Sequence, residues 1–127
     1  MITDKIADCL TRIRNALKAG HKFTLVQDRN LTRVILEVLQ KEGYIESFEP
    51  QENYKLKINL KYVDGAPAIR IIERVSKPGC RKYISVGDLA PYFNGLGVNV
   101  LSTSKGIISD HQAKKENVGG ELLFRVF

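Results

Sequence analysis

The chain has no tryptophan, one methionine and only two cysteines in 127 residues. Cys9 and Cys80 lie far apart, with no C-x-x-C pair and no histidine near either, so zinc-ligand spacing and a redox dithiol are both missing. Free thiols in a reducing compartment are the expectation. No apolar run is long enough to span a membrane. The opening Met1-Ile2-Thr3-Asp4 has neither a secretory apolar core nor an arginine-rich presequence, which predicts a protein that stays where it is made, with no membrane partner. No G-x-S-x-G, H-E-x-x-H or Walker sequence occurs, and His21 and His111 fall in different halves, neither beside a serine or cysteine nucleophile. Gly95-Leu96-Gly97 lacks the third glycine of a dinucleotide loop and precedes a strand instead of a helix. Gly119-Gly120 also introduces a strand, and a tight turn is a sufficient explanation. No catalytic residue, cofactor or metal site is therefore expected.

What is present is a sizeable apolar fraction and a basic balance. Hydrophobic residues make up 43% of the chain, enough for a core and against general disorder. Twenty lysines and arginines face 14 acidic residues, for a formal charge of +6. Such a balance suits a polyanionic partner, and simple solubility explains it equally well.

Periodicity organises the chain. Ile6, Leu10, Ile13 and Leu17 recur at helical spacing between a Thr3 cap and a Gly20 stop, with Thr11, Arg14, Asn15 and Lys18 on the opposite face. Phe23 to Val26 reads as a strand. A second helix follows on a stripe of Leu31, Val34, Ile35, Val38 and Leu39, ended by Gly43. Tyr44-Ile45 opens a strand that Pro50 closes. From Tyr54 to Tyr62, apolar residues alternate with Lys55, Lys57, Asn59 and Lys61. That lysine face suits RNA, an ordinary solvated sheet, or an edge strand protected against mispairing. Asp64-Gly65 marks a turn and Ala68 to Glu73 a returning strand. The boundary between two lobes falls near 65–78, giving an N-terminal lobe over 1–70 and a C-terminal lobe over 71–127. In the second lobe, short strands are expected at Lys82–Val86, Val98–Leu101, Ile107-Ile108 and Glu121–Phe127. A helical turn is expected at Asp88–Phe93, and a short helix at Asp110–Glu116, capped by Asp110 and ending at Asn117. The fold class is α+β: an N-terminal α-β-α-β-β lobe packed against a mostly β lobe with a short helix.

One stretch carries more chemistry than the rest. Ser102-Thr103-Ser104-Lys105-Gly106 sits where two short strands would meet in a hairpin. Three hydroxyls, one mobile charge and a glycine suit sugar hydroxyls, phosphates and base edges, although hydroxyls also satisfy backbone groups in turns. Nearby, Arg81 and Lys82 can neutralise phosphates. Tyr83 is either a stacking ring or a core tyrosine of an alternating strand. The basic face of the first helix, with Arg14 and Lys18, reads by itself as a solvated helix face.

Taken in order, the motifs resemble the small-subunit ribosomal protein eight family of the bacterial and plastid type. Gly95-Leu96-Gly97, Leu101 to Ile107, Ser109-Asp110 and Val118-Gly119-Gly120-Glu121 follow its signature in order and spacing. So do Ile6-Ala7-Asp8 with Leu10 to Ala16, Lys41 to Ile45, and Arg74 to Gly79 with Arg81 and Tyr83. Cys80, the Gln112–Asn117 stretch and Phe127 depart from it. The resemblance implies a structural constituent of the small ribosomal subunit that directly binds the central domain of small-subunit ribosomal RNA and supports platform assembly. It implies a principal RNA contact at Ser102 to Gly106, with support from Arg81 to Tyr83 and from Glu121, and neighbouring RNA along Arg14 and Lys18. Glu121 would accept a base amino group or orient the tip. Small-subunit protein five is the expected protein neighbour, and the ribosome of a bacterial cytoplasm or plastid stroma the expected location.

Overall fold

The computed structural model describes residues 4–127, so the Thr3 cap lies outside the described residues. The chain divides into two compact units, one over Lys5–Arg70 and one formed by 71–127 together with Asp4.

In the first unit, α1 (Lys5–Lys18) buries Ile6, Cys9, Leu10, Ile13, Ala16 and Leu17, and exposes Thr11, Arg14, Asn15 and Lys18. It ends at Gly20, whose N–H donates to Leu17 O at 3.1 Å while His21 N–H donates to Ala16 O at 2.9 Å. This pairing occupies carbonyls that the last helical turn leaves open. β1 (Phe23–Gln27) leads into α2 (Asn30–Lys41). The buried face of α2 is Thr32, Ile35, Leu36 and Leu39, rotated from the expected stripe: Leu31 is exposed, and Leu36 was missing from the pattern. With three consecutive apolar residues at Val34 to Leu36 and Val38 nearby, periodicity alone does not select one stripe.

β2 (Ile45–Gln51) runs through Pro50 instead of stopping there. The sheet order β1-β3-β2 explains this, because β2 is an edge strand and a proline there costs no ladder bond on its open side. β3 (Lys55–Leu60) is shorter than expected and lies between the other two, antiparallel to both. Its lysines therefore protect no sheet edge. Lys57 instead sits 4.7 Å from the Phe23 ring, diagonally across on β1, and 3.9 Å from Glu49, its partner on β2. The alternate residues Leu56, Ile58 and Leu60 are buried. β4 (Tyr62–Val63) and β5 (Ala66–Pro67) form a small hairpin around Asp64-Gly65, both with positive φ. Ala68 to Glu73 is not one strand: the division between the units falls inside it, and only β6 (Ile72–Arg74) pairs.

The second unit is built on β10 (Gly120–Val126), which pairs antiparallel with β6, with β7 (Tyr83–Ile84) and with β8 (Val98–Thr103). β9 (Gly106–Ser109) completes the sheet beside β8. The strand expected at Lys82–Val86 is thus reduced to two residues, followed by a single 3-10 turn at Val86–Asp88. The helical turn expected at Asp88–Phe93 is absent. A second 3-10 segment runs Tyr92–Gly95 instead, with Phe93 and Asn94 in the left-handed region. α3 (Asp110–Glu116) ends at the left-handed Asn117 as expected, but its cap is Ser109, whose Oγ accepts from Gln112 N–H. Asp110 is buried and accepts from Asn99 Nδ2 at 3.0 Å. Beneath the sheet, Leu89, Leu101 and Ala113 pack with Ile84, Ile108, Val118 and Leu122.

Gly119 and Gly120 do not form the expected tight turn. A Cβ on Gly120 would lie 2.1 Å from Ser102 O, and one on Gly119 2.5 Å from Ile84 O. The two glycines let β10 enter the sheet against the backbones on both sides, a close approach that only a missing side chain allows.

Candidate nucleic-acid interface

The β8–β9 hairpin turns through Ser104 and Lys105, with Thr103 paired to Gly106. Gly106 takes φ +107, a conformation that side chains rarely adopt, and nothing stands over its Cα. The three hydroxyls have different fates. Thr103 Oγ1 donates to Gly106 O at 2.8 Å and accepts from Lys105 N–H at 3.1 Å, so it holds the turn together. The hydroxyls of Ser102 and Ser104 make no hydrogen bond among the described residues, and Ser104, Lys105 and Gly106 are exposed. The turn explanation thus covers Thr103 and leaves two serines and a lysine available to a ligand.

Register places further candidates beside the tip. Tyr83 pairs with Glu121, and Glu121 with Ser102, so the three side chains stand in a row on the sheet face opposite Leu101 and Leu122. Tyr83 is 71% exposed, which decides between its two readings: it is not a core tyrosine. Glu121 is largely covered, its side chain only 12% exposed. Its carboxylate accepts from the buried Ser76 hydroxyl and from Arg81 Nη1 at 3.2 Å. Ser76 Oγ in turn accepts from Lys82 N–H at 3.1 Å. The carboxylate therefore positions the 81–83 segment and the Arg81 guanidinium, and base recognition is not needed to explain it. Ser76 is the functional residue that sequence reasoning missed. A serine before a Lys-Pro-Gly turn looks like turn chemistry, and only its complete burial marks it as a hub.

Just upstream, Lys77 and Cys80 bridge around Pro78-Gly79 through paired backbone bonds of 3.1 and 2.9 Å, presenting Arg81 and Lys82 to solvent. Ser102 to Gly106, Arg81 to Tyr83 and Glu121 thus come together at one end of the second sheet. Arg14 and Lys18 belong to the exposed face of α1, in the other unit. Among the described residues no His, Cys, Asp and Glu side chains gather in a metal-binding group, and no helix is long and apolar enough to cross a membrane. The surface offers hydroxyls, cations and an exposed ring, which is what binding to a sugar-phosphate polymer uses.

That class of protein, an α+β module with a polar and basic hairpin face, is narrowed by comparison with known sequences. The family model described as Ribosomal protein S8 matches residues 4–127, and the chain belongs to that family. It is 48% identical to the small ribosomal subunit protein uS8 of Brucella anthropi over 99% of this chain and 98% of the relative. The uS8 proteins of Brucella abortus strain 2308 and Brucella ovis match at the same identity and coverage.

Proposed function

We propose that the chain is a structural constituent of the small ribosomal subunit that binds the central domain of small-subunit ribosomal RNA and supports assembly of the platform. Small-subunit protein five is its proposed neighbour, and a bacterial or plastid ribosome its proposed location. The C-terminal unit is the principal RNA-binding part. The observation that carries this reading is the row Tyr83–Glu121–Ser102 beside the exposed Ser104-Lys105 tip, in a chain of the Ribosomal protein S8 family.

Arg81, Lys82 and Lys105 supply salt-dependent attraction, since each neutralised phosphate releases counterions. Directional bonds from Ser102 and Ser104 supply specificity toward an irregular RNA region, because the major groove of a regular A-form helix is too narrow to read. Tyr83 offers a ring for an unstacked base. Arg14 and Lys18 extend the contact to neighbouring RNA. Filter binding to a central-domain fragment tests the assignment. Ser104→Ala should weaken binding by about 1–3 kcal/mol. Lys105→Ala should flatten the salt slope by about one unit. Unchanged affinity in both removes the tip from the interface, and absence of the protein from small-subunit fractions on a sucrose gradient overturns the ribosomal role.

A further inference from the structure

The three-stranded sheet of the Lys5–Arg70 unit has two edges, β1 and β2, and only one of them is guarded. An open edge offers unpaired N–H and C=O groups to any passing strand, and proteins blunt it with proline, charge or a bulge. β2 has all three: Pro50, the carboxylates of Glu46 and Glu49, and a break of register between Ile45 and Ser47. β1 reads Phe-Thr-Leu-Val-Gln, without charge, proline or glycine, and keeps an unbroken register with β3. Two bonds fix which of its groups face outward. Leu60 N–H donates to Lys22 O at 2.9 Å and Asp28 N–H to Tyr54 O at 2.8 Å, so the even-numbered residues of β1 are the ones bonded to β3. The N–H and C=O of Phe23, Leu25 and Gln27 therefore point away from the sheet, and among the described residues no backbone bond reaches them there. All three residues are exposed.

This edge is complementary to itself. Positions 23, 25 and 27 are symmetric about Leu25. A second β1 laid antiparallel, with its own Leu25 opposite this one, pairs every outward group: Phe23 with Gln27, Leu25 with Leu25, Gln27 with Phe23. A slip of one residue would set each of them against a residue whose groups already bond to β3. In the symmetric register Lys22 of one copy falls opposite Asp28 of the other, so no like charges meet along the seam. Side chains complete the match. Phe23 and Leu25 share one face of the strand, 48% and 42% exposed, while Val26 on the other face is buried. Across the seam, Phe23 of one copy lies diagonal to Leu25 of the other, and the four side chains form one apolar stripe. A two-fold axis through Leu25 is thus the arrangement that covers both the open backbone and the exposed apolar pair.

We propose that the free protein associates with a second copy of itself by antiparallel addition of β1 to β1, joining two three-stranded sheets into one. The seam does not depend on the RNA reading above. Two chains of charge +6 repel each other, so added salt should strengthen the association, opposite to its effect on RNA binding. Sedimentation equilibrium of the full chain, freed of nucleic acid, tests this over a range of protein and salt concentrations. The mass should climb from one chain toward two, more steeply at higher salt. Leu25→Pro deletes an outward N–H and no bond to β3, and should lower the association constant about tenfold through two lost hydrogen bonds per dimer. Leu25→Lys, which keeps the whole backbone, should also lower it by placing two like charges at the two-fold axis. Circular dichroism reports that both variants fold. In a Cys80→Ser background, Leu25→Cys should cross-link under diamide and Gln27→Cys should not, because residue 27 faces residue 23. A mass of one chain at every concentration overturns the proposal, as does unchanged association in both Leu25 variants or a dimer that salt dissolves. A chain that stays monomeric yet binds a synthetic peptide of residues 22–28 also overturns it, and leaves the edge to a strand of another protein.

Discussion

Glu121 carries a negative charge into a basic surface, and its partners explain why the surface tolerates it. The carboxylate holds the Ser76 hydroxyl and the Arg81 guanidinium, and Ser76 holds the Lys82 backbone. Removing the hydroxyl leaves the largely covered Glu121 carboxylate and the Lys82 N–H each short of a partner. Ser76→Ala should therefore destabilise the protein by about 1–3 kcal/mol in urea denaturation and weaken RNA binding through displaced Arg81 and Lys82. Ser76→Thr, which keeps the hydroxyl, restores part of both if the hydrogen bonds are the cause. The cysteines make a separate test. Burial, reinforced by Asp8, pushes the Cys9 thiol up to about 12, while Cys80 is exposed. Ellman's reagent at pH 8 should count one thiol in the native protein and two in denaturant, since only the ionised form attacks. Two rapid native equivalents would show that α1 opens.

At the scale of elements, strands and helices were largely legible where one face is buried and the other wet. The alternation from Lys55 to Leu60 and the stripe of α1 are direct records of burial, so both appear in the structure with small shifts of boundary. Legibility failed where the environment of a segment, not its own pattern, decides its form. Pro50 stays in a strand because β2 is an edge, and the Ala68–Glu73 run breaks because the two units part within it. Gly119-Gly120 looked like turn residues, yet their reason is the backbone of two other strands. Gly120→Ala should accordingly cost about 1–3 kcal/mol by overpacking. It should also weaken RNA binding well beyond Ser104→Ala, because β10 must move away from Ser102 at the candidate interface. Circular dichroism melting and filter binding on one preparation measure both, and a neutral Gly120→Ala would show that the strand entry is adjustable.

For the molecule as a whole, charge and pH set the limits. A formal charge of +6 makes binding to RNA salt-dependent, with the slope reporting how many cations meet phosphate. Asp28 and Cys9 each make stability depend on pH. The Arg33 hydrogen bonds hold the Asp28 carboxyl below its ordinary value of 3.8, so this pair stabilises the fold above that pH and the contribution disappears as pH falls through the depressed value. Cys9 acts at the other end. Its thiol stays neutral when folded but ionises near 9.0 when unfolded, so stability declines as pH rises from 9.0 toward 12. Urea midpoints across pH should show the alkaline decline reduced in Cys9→Ala, with a remainder from Tyr92, whose hydroxyl is also pushed up by burial and the Glu73 carboxylate. The amino-acid sequence by itself determined the α+β class, most of the elements, the ribosomal family and the hydroxyl-rich hairpin, because hydrophobic period and motif order are local properties of a chain. Only the tertiary structure decided which hydroxyls are already spent, that Tyr83 faces water and that Ser76 anchors Glu121. Those are relations between residues far apart in the chain, and strand register and close approach of backbones create them.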